Sequence, residues 1–287
     1  MTIRSSTRVM GVIGDPIAHS LSPDMHNAAI DALGIDCCYV AWHVLPERVA
    51  EAVAGVRGLD ILGLNVTIPH KLAVMEHVDR ISEEALAVGA VNTIHNEDGE
   101  LTGYNTDVFG VLMSLERVAG FVSLPAQCVV LGAGGAARAV TYALASRDEV
   151  ERVTLLNRTT EKAEALALDM EKITGKSILP GGMEAAEQQS ALVDAGLVVN
   201  TTSLGMHPQV EGSPLAEGIE IHPELVLYDT VYNPLRTTMM VQFESAGARA
   251  FGGLDMLVYQ GARSFELWTG TFPPTDVMKQ ALIGRFS

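Results

Sequence analysis

The 287 residues suffice for about two domains at roughly 150 residues each, and 48% of them are apolar, so a disordered chain or a small stapled scaffold is excluded. With 35 acidic against 19 basic residues the formal charge is −16, and no basic cluster interrupts it, which argues against a nucleic-acid partner. Any anionic ligand must then be held by a few local cations and backbone N–H groups working against a repulsive field.

Short β-branched runs alternate with longer helical patterns from end to end, which predicts α/β architecture with mainly parallel sheets. Strands are expected at 8–13, 37–44, 61–67 and 91–94, and helices at 23–34, 46–57, 69–78 and 81–88. These make a first domain, 1–106. A second, 107–246, opens with a helix at 107–119, then a strand at 127–131, a helix at 135–146, a strand at 151–156 and a helix at 160–173; strands at 197–200 and 225–229 continue it. From about residue 247 the text reads GGLDMLVYQGARSFELWTG, with a last helix at about 274–285. This tail is expected to return to the first domain, because chain ends tend to lie close together and a lone helical pair cannot bury both its faces. The cleft between the two domains is the expected site.

Residues 126–137 (AQCVVLGAGGAA) run a strand into Gly132, Gly134 and Ala137. This is the G-x-G-x-x-A form of the dinucleotide fingerprint: the first small residue allows the tight turn, the second a close approach of backbone to pyrophosphate, the third the packing of helix on strand. The next strand ends in Asn157-Arg158-Thr159, with Lys162 a turn further on. An NAD enzyme usually places an acid there to accept the ribose 2′-hydroxyl; here two cations stand ready for a 2′-phosphate, which favours NADP.

In the first domain GDPIAHSLSPDMHN places Ser20 and Ser22 just before a helix with Pro23 in its first turn. Ser22 reads either as a helix cap or, with Ser20 on the same side of an extended segment, as half of a grip on a carboxylate. GLNVTIPHK carries a strand through Asn65 and Thr67, with Pro69 starting a helix and Lys71 in its first turn. A cation near a helix N-terminus is disfavoured and its amine pKa depressed, which suits a general acid or base. GAVNT and GYNTD then offer Asn92, Asn105, Thr106 and Asp107 at strand ends, Asp107 also being a natural cap for the helix that follows.

Taken in order, GDPIAHSLSPDMHN, NVTIPHK, GAVNT, GYNTD, GAGGA, NRT, NTTSLGM, YDTVYNP and GLDMLVYQGARSFELWTG resemble the shikimate dehydrogenase family across essentially the whole chain. The resemblance implies two α/β domains flanking a cleft: an N-terminal substrate domain and a Rossmann-like NADP domain, with the C-terminal helices returning to the first. It implies reversible NADPH-dependent reduction of 3-dehydroshikimate to shikimate, with Lys71 as proton donor and acceptor and Asp107 as its partner on the substrate side. By position, Ser20 and Ser22 hold the substrate carboxylate with Tyr232 as a further contact, and Thr67, Asn92 and Gln260 bind the ring hydroxyls and the region around the lysine. Gly132, Ala133, Gly134, Gly135 and Ala136 cradle pyrophosphate; Asn157, Arg158, Thr159 and Lys162 take the 2′-phosphate ribose; Thr230 and Gly253 take the nicotinamide end. A broad-specificity quinate and shikimate dehydrogenase is the alternative, and a non-catalytic metabolite sensor a remote one. Relatives that accept quinate often carry Thr for the second serine and an acid at the second strand end, so Ser22 and Arg158 favour shikimate with NADP.

Three cysteines, Cys37 and Cys38 adjacent and Cys128 in an apolar run, give neither a disulfide framework nor a zinc spacing, and no H-x-x-H pair occurs, so no catalytic metal is expected. The polar start MTIRSSTR has no signal-peptide core, and no apolar run approaches 18 residues, so a cytoplasmic protein with a small-molecule substrate is expected, monomer or homodimer being open. Segment 174–190 matches no functional block.

Overall fold

Strand β1 (Arg8–Gly14) is apolar almost throughout and buried over its last five residues, as befits a strand covered on both faces. The computed structural model, which describes residues 2–286, sets it at the heart of the first of two units: residues up to 110 together with those from 258 on, and residues 111–257.

In chain order the first unit holds α1 (Ser22–Leu33), β2 (Cys37–His43), α2 (Val49–Gly58), β3 (Gly63–Val66), β4 (Arg80–Ile81), α3 (Glu83–Val88), β5 (Thr93–Glu97), β6 (Glu100–Tyr104) and the start of α4 (Asp107–Arg117). Its sheet runs β2-β1-β3-β5-β6-β4. Helix α1 ends at Gly34, whose φ of 65° is the left-handed conformation that a C-terminal cap requires. Helix α2 buries Val49, Val53 and Val56, one helical stripe, against Ile13, Leu64, Val66, Ile94 and Leu101.

The sheets are mainly parallel, as expected, but this one carries two exceptions, and one expected helix is missing. The sheet is mixed, since β3–β5 and β5–β6 are antiparallel. The β5–β6 hairpin turns at Asp98 and Gly99, both at positive φ, a two-residue turn that suits the twist of the flanking strands. Nor does a helix start at Pro69. Only a short 3₁₀ turn forms, at Ala73–Glu76, because Lys71 spends its carbonyl on Val91 N–H (2.9 Å) rather than on a helical successor.

The second unit continues with β7 (Gln127–Leu131), α5 (Gly135–Ala145), β8 (Arg152–Leu156), α6 (Thr160–Thr174), β9 (Ser177–Gly181), α7 (Ala185–Leu192), β10 (Leu197–Asn200), β11 (Val226–Asp229), α8 (Thr238–Ser245) and β12 (Arg249–Gly252). All five strand pairs are parallel, in the order β12-β11-β10-β7-β8-β9. Counted within the unit, this is the 3-2-1-4-5-6 order of a doubly wound nucleotide-binding sheet. Segment 174–190 thus supplies edge strand β9 and most of α7. Residues 249–252 belong here too, not to the returning tail, because β12 pairs with β11 and closes the sheet's other edge.

The tail consists of α9 (Leu254–Thr269) and α10 (Thr275–Ile283). From Val258 on it is part of the first unit: α10 packs on α1, and Trp268 Nε1 donates to Ile94 O at 2.9 Å. Gly63 makes room for that indole, since a Cβ there would lie 2.0 Å from Trp268 Nε1. Among the described residues no helix is long and apolar enough to cross a membrane.

Candidate active site

In the first unit the turn after β3 carries Lys71 and the start of α4 carries Asp107, and the Lys71 Nζ lies 2.6 Å from Asp107 Oδ2. Both side chains are largely covered, 20% and 9% exposed, so the pair is sheltered from the screening that makes surface ion pairs weak. Lys71 owes its setting to Asp107 and not to a helix terminus, which the turn at this position does not provide. Asp107 is the first residue of α4, and its own N–H is satisfied by Asn105 Oδ1 (3.1 Å).

The other carboxylate oxygen, Asp107 Oδ1, accepts from Asn92 Nδ2 at 2.9 Å. The orientation of that amide is not in question: the backbone N–H of Thr106 can only donate, and it meets Asn92 Oδ1 at 2.8 Å. Asn92 is therefore turned with its NH₂ toward the carboxylate.

Ser22 does not cap α1. The cap position is Leu21, with no side-chain bond, while Ser22 is the first helical residue and its N–H approaches Ser20 Oγ at 3.3 Å. The Ser22 hydroxyl instead hydrogen-bonds the buried Tyr39 phenol, whose pKa burial pushes well up and this bond pulls down. Thr67, half-buried just past β3, and Gln260, half-buried on α9, belong to the same unit as the Lys71–Asp107 pair.

Three polar residues of this unit, Asn65, Thr93 and Ser264, escape sequence reading as site residues, and Thr106 joins them in one cluster. Asn65, Thr93, Thr106 and Ser264 are all buried and interlinked, with Thr93 Oγ1 3.0 Å from Asn92 Oδ1 and 2.8 Å from Ser264 Oγ. The signal at Asn65 is a polar residue inside an otherwise apolar strand, GLNV, whereas Ser264 lies on helix α9 and gives no such mark.

In the second unit the nucleotide motif sits where the strand order reverses, between β7 and β10, the position at which such sheets bind ligands. Gly132 has φ 109°, and a Cβ on it would lie 2.6 Å from Thr201 Oγ1, at the end of β10. Gly134 caps α5 in an extended conformation and Gly135 starts it. A Cβ on either would meet nothing within 4 Å, so backbone is open to a pyrophosphate at the N-terminus of an eleven-residue helix. Ala133 and Ala136 flank that turn, half-buried.

At the end of β8, Arg158, Thr159 and Lys162 are exposed, and Asn157 Nδ2 donates to Thr159 O (2.8 Å), shaping the turn that presents them. No acid occupies 157–160. These residues fit a 2′-phosphorylated dinucleotide. Gly253 lies against the backbone of Thr230, where a Cβ would meet Thr230 O at 2.1 Å, and Tyr232 follows on the same loop, its phenol pushed up by burial. Buried Asp229 ties this loop down, accepting from Asn200 Nδ2, Val231 N–H and Thr237 Oγ1 at 2.9, 3.1 and 2.6 Å.

A 3-2-1-4-5-6 sheet with its glycine turn at the switch point, on one chain with a sheltered lysine–carboxylate pair, defines a dinucleotide-dependent oxidoreductase of two α/β units. Three family models match the chain: the shikimate dehydrogenase substrate-binding domain over residues 12–94, shikimate/quinate 5-dehydrogenase over 119–203, and the shikimate 5′-dehydrogenase C-terminal domain over 253–283. The chain belongs to the shikimate dehydrogenase family. It is 44% identical to the shikimate dehydrogenase (NADP+) of Methanopyrus kandleri, over 99% of this chain and 97% of that one. To the enzyme of the same name from Methanothermobacter thermautotrophicus it is 45% identical, over 98% and 97%. The crystal structure of Thermus thermophilus shikimate 5-dehydrogenase in complex with NADP(H) and shikimate matches with a TM-score of 0.86 at 37% identity, over 96% of this chain and 99% of that one.

Proposed function

We propose that this chain is an NADP-dependent shikimate dehydrogenase, reducing the carbonyl of 3-dehydroshikimate to the hydroxyl of shikimate and running the reverse reaction. The observation that carries the proposal is the 2.6 Å pair of Lys71 and Asp107, a proton donor held in place by a carboxylate among neutral polar groups.

Reduction of the carbonyl needs one hydride at carbon and one proton at oxygen. NADPH supplies the hydride when bound. The Lys71 ammonium supplies the proton to the oxygen, and in the oxidative direction the Lys71 amine takes it back from the hydroxyl. Asp107 keeps the ammonium oriented and lends its second oxygen, already aligned by Asn92, to a substrate hydroxyl. Ser20 and Ser22 grip the substrate carboxylate, and Thr67, Asn92 and Gln260 bind ring hydroxyls. Gly132 to Ala136 cradle the pyrophosphate, with Asn157, Arg158, Thr159 and Lys162 around the 2′-phosphate and Thr230 and Gly253 at the nicotinamide end.

Initial rates of nicotinamide reduction in a grid of shikimate or quinate with NADP or NAD test the proposal. Turnover at least tenfold faster with shikimate and NADP than in any other combination supports it. Comparable turnover of quinate with NAD would move the enzyme to the broad-specificity class, and no turnover in any combination would sink the catalytic assignment.

A further inference from the structure

Beneath Asp107 lies a run of hydrogen bonds whose direction is fixed link by link. The Tyr39 hydroxyl donates to Asn65 Oδ1 (2.7 Å) and Asn65 Nδ2 donates to Thr93 Oγ1 (3.1 Å). Having accepted there, the Thr93 hydroxyl donates its one proton to Asn92 Oδ1 (3.0 Å), and Asn92 Nδ2 donates to Asp107 Oδ1 (2.9 Å). Every donor along the run points toward the carboxylate. Tyr39, Asn65, Thr93 and Asn92 are all buried, Thr93 completely, so no water competes for these groups and each bond polarises the next.

The surroundings leave Thr93 little freedom. Asn65 spends its second amide proton on Ser264 Oγ (2.9 Å), and the Ser264 hydroxyl stands 2.8 Å from Thr93 Oγ1, closer than its 3.0 Å to Gln260 O. Thr106 Oγ1 stands 3.3 Å from Thr93 Oγ1 and 3.2 Å from Asn92 Oδ1, so it shares the same acceptor. Asn92 Oδ1 can only accept, so the Thr93 proton fills that 3.0 Å contact, while the Ser264 hydroxyl, 2.8 Å from Thr93 Oγ1, donates to Thr93.

Resting on the assignment of Lys71 and Asp107 as the reacting pair, we propose that Thr93 is a positioning residue for the reaction: supplied with a donor by Asn65, it locks the Asn92 amide that holds Asp107. It touches neither Lys71 nor Asp107 and acts only through Asn92. Its loss is therefore felt in kcat more than in substrate binding, and only while Asn92 is present.

Thr93→Val keeps the shape and deletes the hydroxyl, and Thr93→Ser keeps the hydroxyl. With shikimate and NADP, Thr93→Val is expected to lower kcat about tenfold with KM changed less than threefold, and Thr93→Ser to recover at least half of wild-type kcat. In an Asn92→Ala background Thr93→Val should cost less than twofold more. A Thr93→Val enzyme that melts earlier but keeps its kcat overturns the proposal, as does an undiminished tenfold loss without Asn92. Should Thr93→Val not fold, Tyr39→Phe breaks the run at its far end, and a kcat within twofold of wild type counts against it equally. A measurement independent of turnover separates this proposal from the assigned activity: the Asn92 side-chain amide protons, followed by NMR, should exchange at least tenfold faster in Thr93→Val or Tyr39→Phe. Unchanged exchange overturns the positioning role, whereas a wild-type enzyme inert toward shikimate sinks the activity instead.

Discussion

The His26 imidazole lies flat on the Tyr39 ring, centroids 4.1 Å and planes 5° apart, with Phe265 and Trp268 closing round it. Both its ring nitrogens are buried without a hydrogen-bond partner, and burial pushes its pKa down to about 3. The ring thus behaves as an aromatic and stays neutral in the native state, while in the unfolded chain it protonates below about pH 6.5. Its folded pKa being depressed, the stability is complete above about pH 6.5 and is lost as pH falls, at about 1.4 kcal/mol per unit until near pH 3. His26→Phe should remove this loss: urea unfolding at pH 7.5 and 5.0 is expected to give a wild-type decline about 2 kcal/mol steeper than that of the variant. Parallel declines would refute the neutral, buried histidine.

On the proposed roles, Lys71→Ala deletes the proton carrier and leaves the carboxylate grip and ring contacts in place. The expected result is a kcat reduced by on the order of 10²–10⁴ with a calorimetric shikimate Kd within about threefold of wild type. Equal losses in both would make Lys71 a binding group instead.

Arg158 is exposed at the end of β8 beside a turn without acids. Arg158→Ala is expected to raise KM for NADP by at least tenfold and to leave KM for NAD within twofold, since only the former carries the 2′-phosphate. An unaltered preference between the two cofactors would remove this residue from the phosphate site.

Gly132 and Gly134 predict opposite failures. At Gly132 a methyl faces Thr201 Oγ1 at 2.6 Å, and that hydroxyl is itself fixed on Leu131 O at 2.6 Å, so Gly132→Ala should cost stability on the order of 2 kcal/mol, with φ strain added to the clash. At Gly134 a methyl meets nothing, so Gly134→Ala should fold as wild type yet bind NADP several-fold more weakly, the methyl standing in the pyrophosphate's approach. Thermal melts and cofactor titration of the two proteins decide the matter.

The second unit was the more legible in the sequence, because β7, β10 and β11 are short, mainly apolar runs ended by polar turns, and the glycines between β7 and α5 carry the dinucleotide fingerprint. Edge strand β9 was not: SILPG is half exposed and contains a proline, so neither period nor composition marks it. The β5–β6 hairpin carries a usable trace, Asp98-Gly99, a dipeptide suited to a two-residue turn. Residues 69–78 misled because their apolar spacing suits a helix, whereas a long-range bond to Val91 decides their path. In the site, the residue types of Lys71 and Asp107 were readable from the motifs, but they lie 36 residues apart and only folding brings them to 2.6 Å. The polar run behind them was unreadable, since Tyr39, Asn65, Thr93 and Ser264 come from β2, β3, β5 and α9 and no local pattern connects four separate elements.

The first unit is made of two stretches of chain, with α10 and most of α9 arriving after the whole of the second unit. On the ribosome it is therefore begun first and finished last. Until Ser264 and Trp268 emerge, Asn65 lacks one acceptor, Ile94 O lacks its donor, and the surface around Gly63 lies bare to water. The nucleotide unit meets no such delay, since every strand of its sheet is already in hand, and domains tend to fold as units while synthesis proceeds. A nascent chain thus completes its doubly wound sheet before the polar cluster around Asn65 and Thr93 is braced by the final helices.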